Sequence, residues 1–381
     1  MKCEGFDCWT GAYLRLEGER TIQVVDELIQ PPESGEHLAP GFIDVQVNGF
    51  AGVDYNNPAE PHERIAASLD VMFSTGVTRL FPTVITGSPD NMLNAARNLA
   101  QARKSLPRGR AMEAIHMEGP HISPEDGPRG AHPRQWTRPP DVDEFRRWQD
   151  ATEGAIRLVT MSPEWPGSTH YIEYLTGHGV VVSIGHTKAT RAQLDDAVKA
   201  GATMSTHLGN GAHSEMRRHP NYLWDQLAED RLCASFIVDG IHIGDSFLRV
   251  ALRAKGIGNS VLITDAVMPA CSEPGPYKLG EVEVELLPDM RVVLRGGDRL
   301  AGSSLRMDRG VENLMRLAQL SLGEAVLMAT RNPARAGRIP GRQRGLAAGE
   351  RMDLVRFAFE PQTKSIQIFQ TWLDGELVYS A

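Results

Sequence analysis

The sequence predicts an α/β fold: a (β/α)8, TIM-like barrel with a small β-sandwich domain formed from both chain termini. Three observations carry that prediction. Eight apolar, strand-like runs recur through the middle of the chain, and helix-like stretches lie between them. Alternation of this kind produces a parallel sheet, and eight units are the number that closes one into a barrel. The two ends instead read as short β segments, so residues 1–39 and 340–381 are expected to form the small domain and 40–339 the barrel. A length of 381 residues suits one barrel of roughly 250 residues plus an appendage.

In chain order, YLRLEG and TIQVV are the first β segments, and Pro40-Gly41 is a natural crossing into the barrel. The barrel strands are expected at Gly41–Asn48, Thr78–Thr86, Met112–Glu118, Ile156–Ser162, Val180–His186, Thr203–His207, Cys233–Val238 and Val261–Asp265. Several are apolar at both parities, as strands buried on both faces are. Helices are expected at 63–74, 90–104, 141–149, 191–200 and 245–254, with Asp90 and Asp141 as N-caps. Gly76, Gly179 and Gly201 follow helix ends, where a left-handed residue fits. An open doubly wound sheet is the alternative, but GFIDVQVNGFAG lacks the spacing of a glycine-rich phosphate loop. The segment 270–299, with alternating VEVEL and VVL, predicts a hairpin over the barrel mouth. Past the crossing near Pro340-Gly341, MDLVRFAF, SIQIFQTWL and GELVYSA return as strands, the last two separated by the Asp374-Gly375 turn.

Composition narrows the class of function. Hydrophobic residues make up 41% and charged residues 23%, the balance of a soluble globular protein. The formal net charge of −8 argues against non-specific binding to nucleic acid or an anionic membrane. An anionic ligand therefore needs a local positive cluster. No run of 18 apolar residues and no signal peptide is readable. Cys3, Cys8, Cys233 and Cys271 are scattered, which fits ordinary thiols in a reducing cytoplasm.

Titratable residues recur at the C-terminal ends of the expected strands. Glu118 closes the third, His186 the fifth, His207 the sixth and Asp265 the eighth, and His242 follows the seventh in VDGIH. In a barrel these ends converge on one mouth. Any one of them alone could be structural; the joint arrangement is the signal. Two imidazoles and a carboxylate are a three-ligand set typical of catalytic zinc, and iron, cobalt and manganese accept it too. A divalent ion there lowers the pKa of water, and Asp265 can accept the proton and return it to a leaving nitrogen. Arg217, Arg218 and His219 form a positive cluster that suits a phosphate, or else a solvated loop.

HMEGPH, SIGHT, THLGNGAH, DGIH, TDAV and LAGSSLRM occur in this order, and with PGFIDVQVNG and MATRNPAR they resemble the N-acetylglucosamine-6-phosphate deacetylase family of the amidohydrolase superfamily. The resemblance runs from about residue 38 to 355. It implies that Glu118, His186 and His207 hold one divalent metal ion per subunit, zinc first, and that Asp265 is the catalytic aspartate. It implies that Ala131 and His132 hold the substrate near its amide, His132 polarising the carbonyl. Asn210 and Gly211 match the pair after the second histidine ligand, and Leu300, Ala301 and Gly302 a substrate-contacting loop. Arg218 and His242 match groups that contact the sugar phosphate, the arginine reaching into the neighbouring subunit of a homodimer. Many amidohydrolases bind a second metal through His-x-His on the first strand. Here Gln46-Val47-Asn48 stands instead, and amides are poorer ligands, so one metal is expected; the amides could also simply hydrogen-bond in a crowded mouth. The family commonly has an aromatic residue and Asn-Ala where this chain has Gly209-Asn210-Gly211. The implied activity is hydrolysis of the acetamide of an amino-sugar phosphate. The rivals are an amidohydrolase for another N-acyl amino sugar or a cyclic amide, and a sugar-phosphate-binding barrel without catalysis.

Overall fold

All eight expected runs become strands of one parallel sheet. The computed structural model describes residues 1–29, 35–280 and 282–381. The strands are β1 (Phe42–Val47), β2 (Val77–Ile85), β3 (Ile115–Glu118), β4 (Ile156–Met161), β5 (Val181–Ile184), β6 (Met204–Ser205), β7 (Cys233–Ile237) and β8 (Ser260–Ile263). They pair in sequence order. The ends of the sheet meet through a parallel bridge between Val47 and Ala266, reinforced by Asp265 N–H donating to Gln46 O at 2.9 Å and Asn48 N–H to Ala266 O at 2.7 Å. Closure thus falls at the level of the mouth.

Burial on both faces explains the apolar strands. Ile43, Phe81, Leu158, Val181, Met204, Ile237 and Val261 belong to one buried cluster with contributions from seven of the strands. Residues of opposite parity, such as Phe42, Val182 and Leu262, join the larger cluster formed with the helices. The surrounding helices are α1 (His62–Ser74), α2 (Pro89–Ser105), α3 (Val142–Thr152), α4 (Ser168–Gly177), α5 (Arg191–Lys199), α6 (Tyr222–Leu227), α7 (Asp245–Lys255), α8 (Met307–Leu317), α9 (Leu322–Ala329) and α10 (Arg331–Ala336). Asp141 caps α3 as expected, accepting from Asp143 N–H at 2.8 Å. The cap of α2 is Ser88 rather than Asp90. Pro89 takes the first helical position, where its missing N–H is no loss, which moves the start forward and leaves Asp90 in the first turn. Gly76, Gly179 and Gly201 have φ of 83°, 79° and 113°. None of the described helices is long and apolar enough to cross a membrane, and all four cysteines are free.

Both termini contribute to one seven-stranded sheet, in the order Glu376–Ser380, Ser365–Leu373, Leu354–Glu360, His37–Pro40, Lys2–Asp7, Tyr13–Gly18, Ile22–Glu27. It encloses its own core of Leu14, Leu16, Leu38, Leu354 and Trp372. The insert after β8 has one strand more than the expected hairpin: Gly275–Leu279, Val282–Leu286 and Val292–Leu294 form a three-stranded antiparallel sheet. Its Leu279, Val284 and Val292 pack with Val267 and Ala301, so it is held against the mouth.

Candidate active site

Three of the expected site residues lie just beyond regular strand, for a physical reason. His186, His207 and Asp265 have φ of 49°, 28° and 49°. A left-handed conformation in a residue with a side chain is strained and cannot continue a β ladder. It ends β5, β6 and β8 two residues earlier than their histidines and aspartate. Gly185 allows the tight passage before His186: a Cβ there would lie 2.8 Å from Thr160 Cγ2 and Thr206 Cβ.

The strand ends bring Glu118, His186 and His207 together, with one ligand atom from each within 4.8 Å of the others. Glu118 Oε1 lies 3.2 Å from His186 Nε2 and 2.9 Å from His207 Nε2. His186 Nδ1 is 2.9 Å from Pro128 O. That carbonyl can only accept, so Nδ1 carries the proton and a neutral ring turns its Nε2 lone pair toward the carboxylate. Such a pair repels unless a cation or a proton lies between. A buried carboxylate with two imidazole nitrogens directed at it is a donor set that fits a divalent ion. Burial opposes ionisation of Glu118, yet the two histidines facing it hold its pKa well below the ordinary value.

Gln46 and Asn48 do hydrogen-bond in the crowded mouth, and they do so to the chemistry-bearing groups. Gln46 Nε2 donates to Glu118 Oε1 at 2.9 Å and to Asp265 Oδ1 at 3.1 Å, and Asn48 Nδ2 donates to Asp265 Oδ1 at 2.7 Å. Both amides therefore fall on one oxygen of Asp265, leaving Oδ2 without a protein donor among the described residues. Burial, then the charge of Glu118, raises the Asp265 pKa to about 6.

A cavity of about 600 Å³ opens above this centre. Of the residues to which the family resemblance gives a role, Arg218 alone lies outside its lining. His132 lies with its ring centroid 4.4 Å from that of His186. Burial, then the neighbouring His186, lowers its pKa to about 3, so it is neutral. Its backbone carbonyl is held by Arg129 Nη1 at 2.6 Å. Asn210 Nδ2 is buried without a protein partner. Leu300, Ala301 and Gly302 line the cavity as well. Arg217, Arg218 and His219 are exposed, and within one chain they form a solvated loop. The change at Gly209 also has a structural account. A Cβ there would meet Phe247 Cε1 at 2.7 Å, so an aromatic ring from α7 fills the space beside the second histidine. Asp239 and Arg129 are contacts that sequence reading passed over; Asp239 was visible only as the residue three before His242.

Known proteins share this architecture. The amidohydrolase family model matches residues 37–378. The deacetylase of Bacillus subtilis is 33% identical over 352 residues, covering 91% of this chain and 86% of the relative. The Bos taurus enzyme is 34% identical over 391 residues, covering 98% and 91%. This chain belongs to the N-acetylglucosamine-6-phosphate deacetylase family. Among solved deacetylases, a point variant of the Mycobacterium smegmatis enzyme in complex with N-acetyl-D-glucosamine-6-phosphate superposes with a TM-score of 0.88 at 28% identity, covering all of both chains. The deacetylase of Thermotoga maritima gives 0.87 at 25% identity, again over both whole chains. Membership of the amidohydrolases implies a divalent metal, and the Glu118, His186 and His207 set is the cluster of described residues able to hold one.

Proposed function

We propose that this deacetylase hydrolyses the acetamide of N-acetylglucosamine 6-phosphate, releasing acetate and glucosamine 6-phosphate in the cytoplasm. The convergence of Glu118, His186, His207 and Asp265 at one end of the cavity carries the reading. Glu118, His186 and His207 would hold the ion, and two imidazoles with one carboxylate suit zinc. When bound, it lowers the pKa of a water molecule and polarises a carbonyl oxygen. Asp265, its Oδ1 engaged by two amide donors, takes the proton of the attacking water at Oδ2. It later delivers that proton to the departing nitrogen. Neutral His132 has one N–H to donate toward the acetyl oxygen, where negative charge develops. Asn210, Gly211 and the 300–302 wall orient the sugar, and His242 meets the phosphate.

Arg218 supplies the remaining positive charge in this proposal from the neighbouring subunit of a homodimer, in keeping with its exposure outside its own cavity. Remote binding energy of this kind fixes the amide at the reacting centre.

Acetate release tests the reading, with N-acetylglucosamine 6-phosphate run beside the unphosphorylated sugar and the galactosamine epimer, and metal quantified on the same sample. Phosphate-dependent release with about one ion per chain supports it. A fully metallated protein that leaves all three untouched moves the substrate to another N-acyl amine or a cyclic amide.

A further inference from the structure

The cavity is poorly suited to an anion in one respect. Its lining carries the carboxylates of Glu118, Asp126, Glu215 and Asp265, and among the described lining residues Arg299 is the one lysine or arginine. Arg299 Nη1 lies 3.5 Å from Gly130 O and 3.9 Å from Asp126 Oδ1, so it is directed at the rim. A further group to face the anion from within the chain has to come from elsewhere, and the loop after β7 is built to place one.

In that loop, Asp239 Oδ1 accepts from the backbone N–H of Ile241 and of His242, each at 2.8 Å. Gly240, at φ 78°, lets the chain fold back over the carboxylate. The other oxygen, Oδ2, is 2.6 Å from His242 Nδ1. The two side chains are only 8% and 7% exposed. His242 lines the cavity, and no described protein group hydrogen-bonds its Nε2. A short contact to an ionised carboxylate orients an imidazole and fixes a proton on the near nitrogen. Burial opposes ionisation of Asp239, but the His242 ring and the two backbone donors lower its pKa below the ordinary value.

We infer that Asp239 is a positioning residue for substrate recognition: it holds the His242 ring so that its Nε2 edge faces the anionic end of the substrate. The inference deepens the deacetylase reading and rests on it for the identity of that anion. Discrimination for the phosphorylated sugar then depends on a residue that touches neither sugar nor phosphate. Without Asp239 the ring is free to rotate, and its Nε2 no longer faces that end.

The test uses the zinc-loaded, full-length enzyme and Asp239→Asn, which keeps an oxygen for the backbone donors and removes the charge. KM for N-acetylglucosamine 6-phosphate should rise about tenfold or more, the scale of a lost charge-assisted hydrogen bond. The kcat at saturation should stay within about twofold, and kcat/KM for the unphosphorylated sugar should not move, because those contacts are untouched. Glucose 6-phosphate, which keeps the anion and lacks the amide, should bind more weakly by the same factor. The ¹⁵N resonances of His242 should report loss of the proton-bound Nδ1. A parallel fall in kcat for both sugars, or unchanged binding of glucose 6-phosphate, overturns the inference. Absence of acetate release from wild type, with glucose 6-phosphate binding still weakened by Asp239→Asn, sinks the deacetylase reading and leaves the dyad standing.

Discussion

In the proposed reaction Asp265 takes a proton from water and then gives it up to an amine, which calls for one free oxygen and a pKa near the working pH. Both conditions have a visible cause. Two amide donors occupy Oδ1, while burial and Glu118 raise the pKa to about 6. Asp265→Asn keeps the shape and removes the base. Turnover should fall by roughly 10²- to 10⁴-fold while bound metal stays at the wild-type level, since Asp265 is not one of the three ligands; retention of full activity refutes the role. At this scale the sequence was highly legible where chemistry repeats a spacing. Glu118, His186, His207 and Asp265 each mark a strand end, and their common fate follows from barrel geometry alone. Asp239 was not legible, because an aspartate before a glycine also reads as an ordinary turn residue. Only the 2.6 Å contact to His242 separates the two meanings.

At the scale of elements, the loop from Gly209 to Gly211 is the place where this chain departs from its family pattern, and packing explains how. Gly209 has φ of 107°, and Phe247 of α7 fills the volume a side chain would need. Gly209→Ala should therefore destabilise the fold by about 1–3 kcal/mol, through positive-φ strain and overpacking together. Adding Phe247→Ala should relieve only the packing part, so denaturant midpoints across the four proteins should show coupling. Strict additivity would mean that Phe247 is not what excludes the side chain. The same scale shows where element prediction succeeds and stops. All eight barrel strands were readable because continuous apolar runs persist on both faces. Their ends came out too long, since nothing in SIGH or STH announces a left-handed histidine. The short α6 and α10, of six residues each, hold too few turns to display a helical period.

For the whole molecule, the question is what joins the terminal sheet to the barrel, and Asp353 is the centre of the answer. It is fully buried and accepts from Arg79 Nε at 2.8 Å, Arg342 Nη1 at 2.6 Å and Asp374 N–H at 2.7 Å. Arg79 belongs to β2, and Arg342 also donates to Gly41 O and thereby ties together both crossing points of the chain. Arg79 and Asp353 are 274 positions apart, so no local pattern could have revealed the cluster. Burial opposes ionisation of Asp353, but Arg342 and Arg79 lower its pKa to about 2. With the folded pKa below the unfolded one near 3.9, the unfolded chain takes up the proton first, so the contribution is full above about pH 4 and disappears as pH falls toward 2. Stability measured by denaturant titration should decline through that window, and Asp353→Ala, which removes the carboxylate paired with the buried Arg342 guanidinium, should cost about 3–5 kcal/mol at neutral pH. An unchanged midpoint in that variant removes Asp353 from this role. The assembly itself is tested by complementation. If Arg218 serves the cavity of its neighbour, an Asp265→Asn chain still lends a good arginine, and an Arg218→Ala chain still holds a good aspartate. Each homodimer should be defective, whereas random re-pairing of equal amounts makes half the dimers mixed, each with one complete site, restoring about a quarter of wild-type activity. Recovery that stays at the average of the two variants, with sedimentation showing mixed dimers, would place Arg218 outside the neighbouring site.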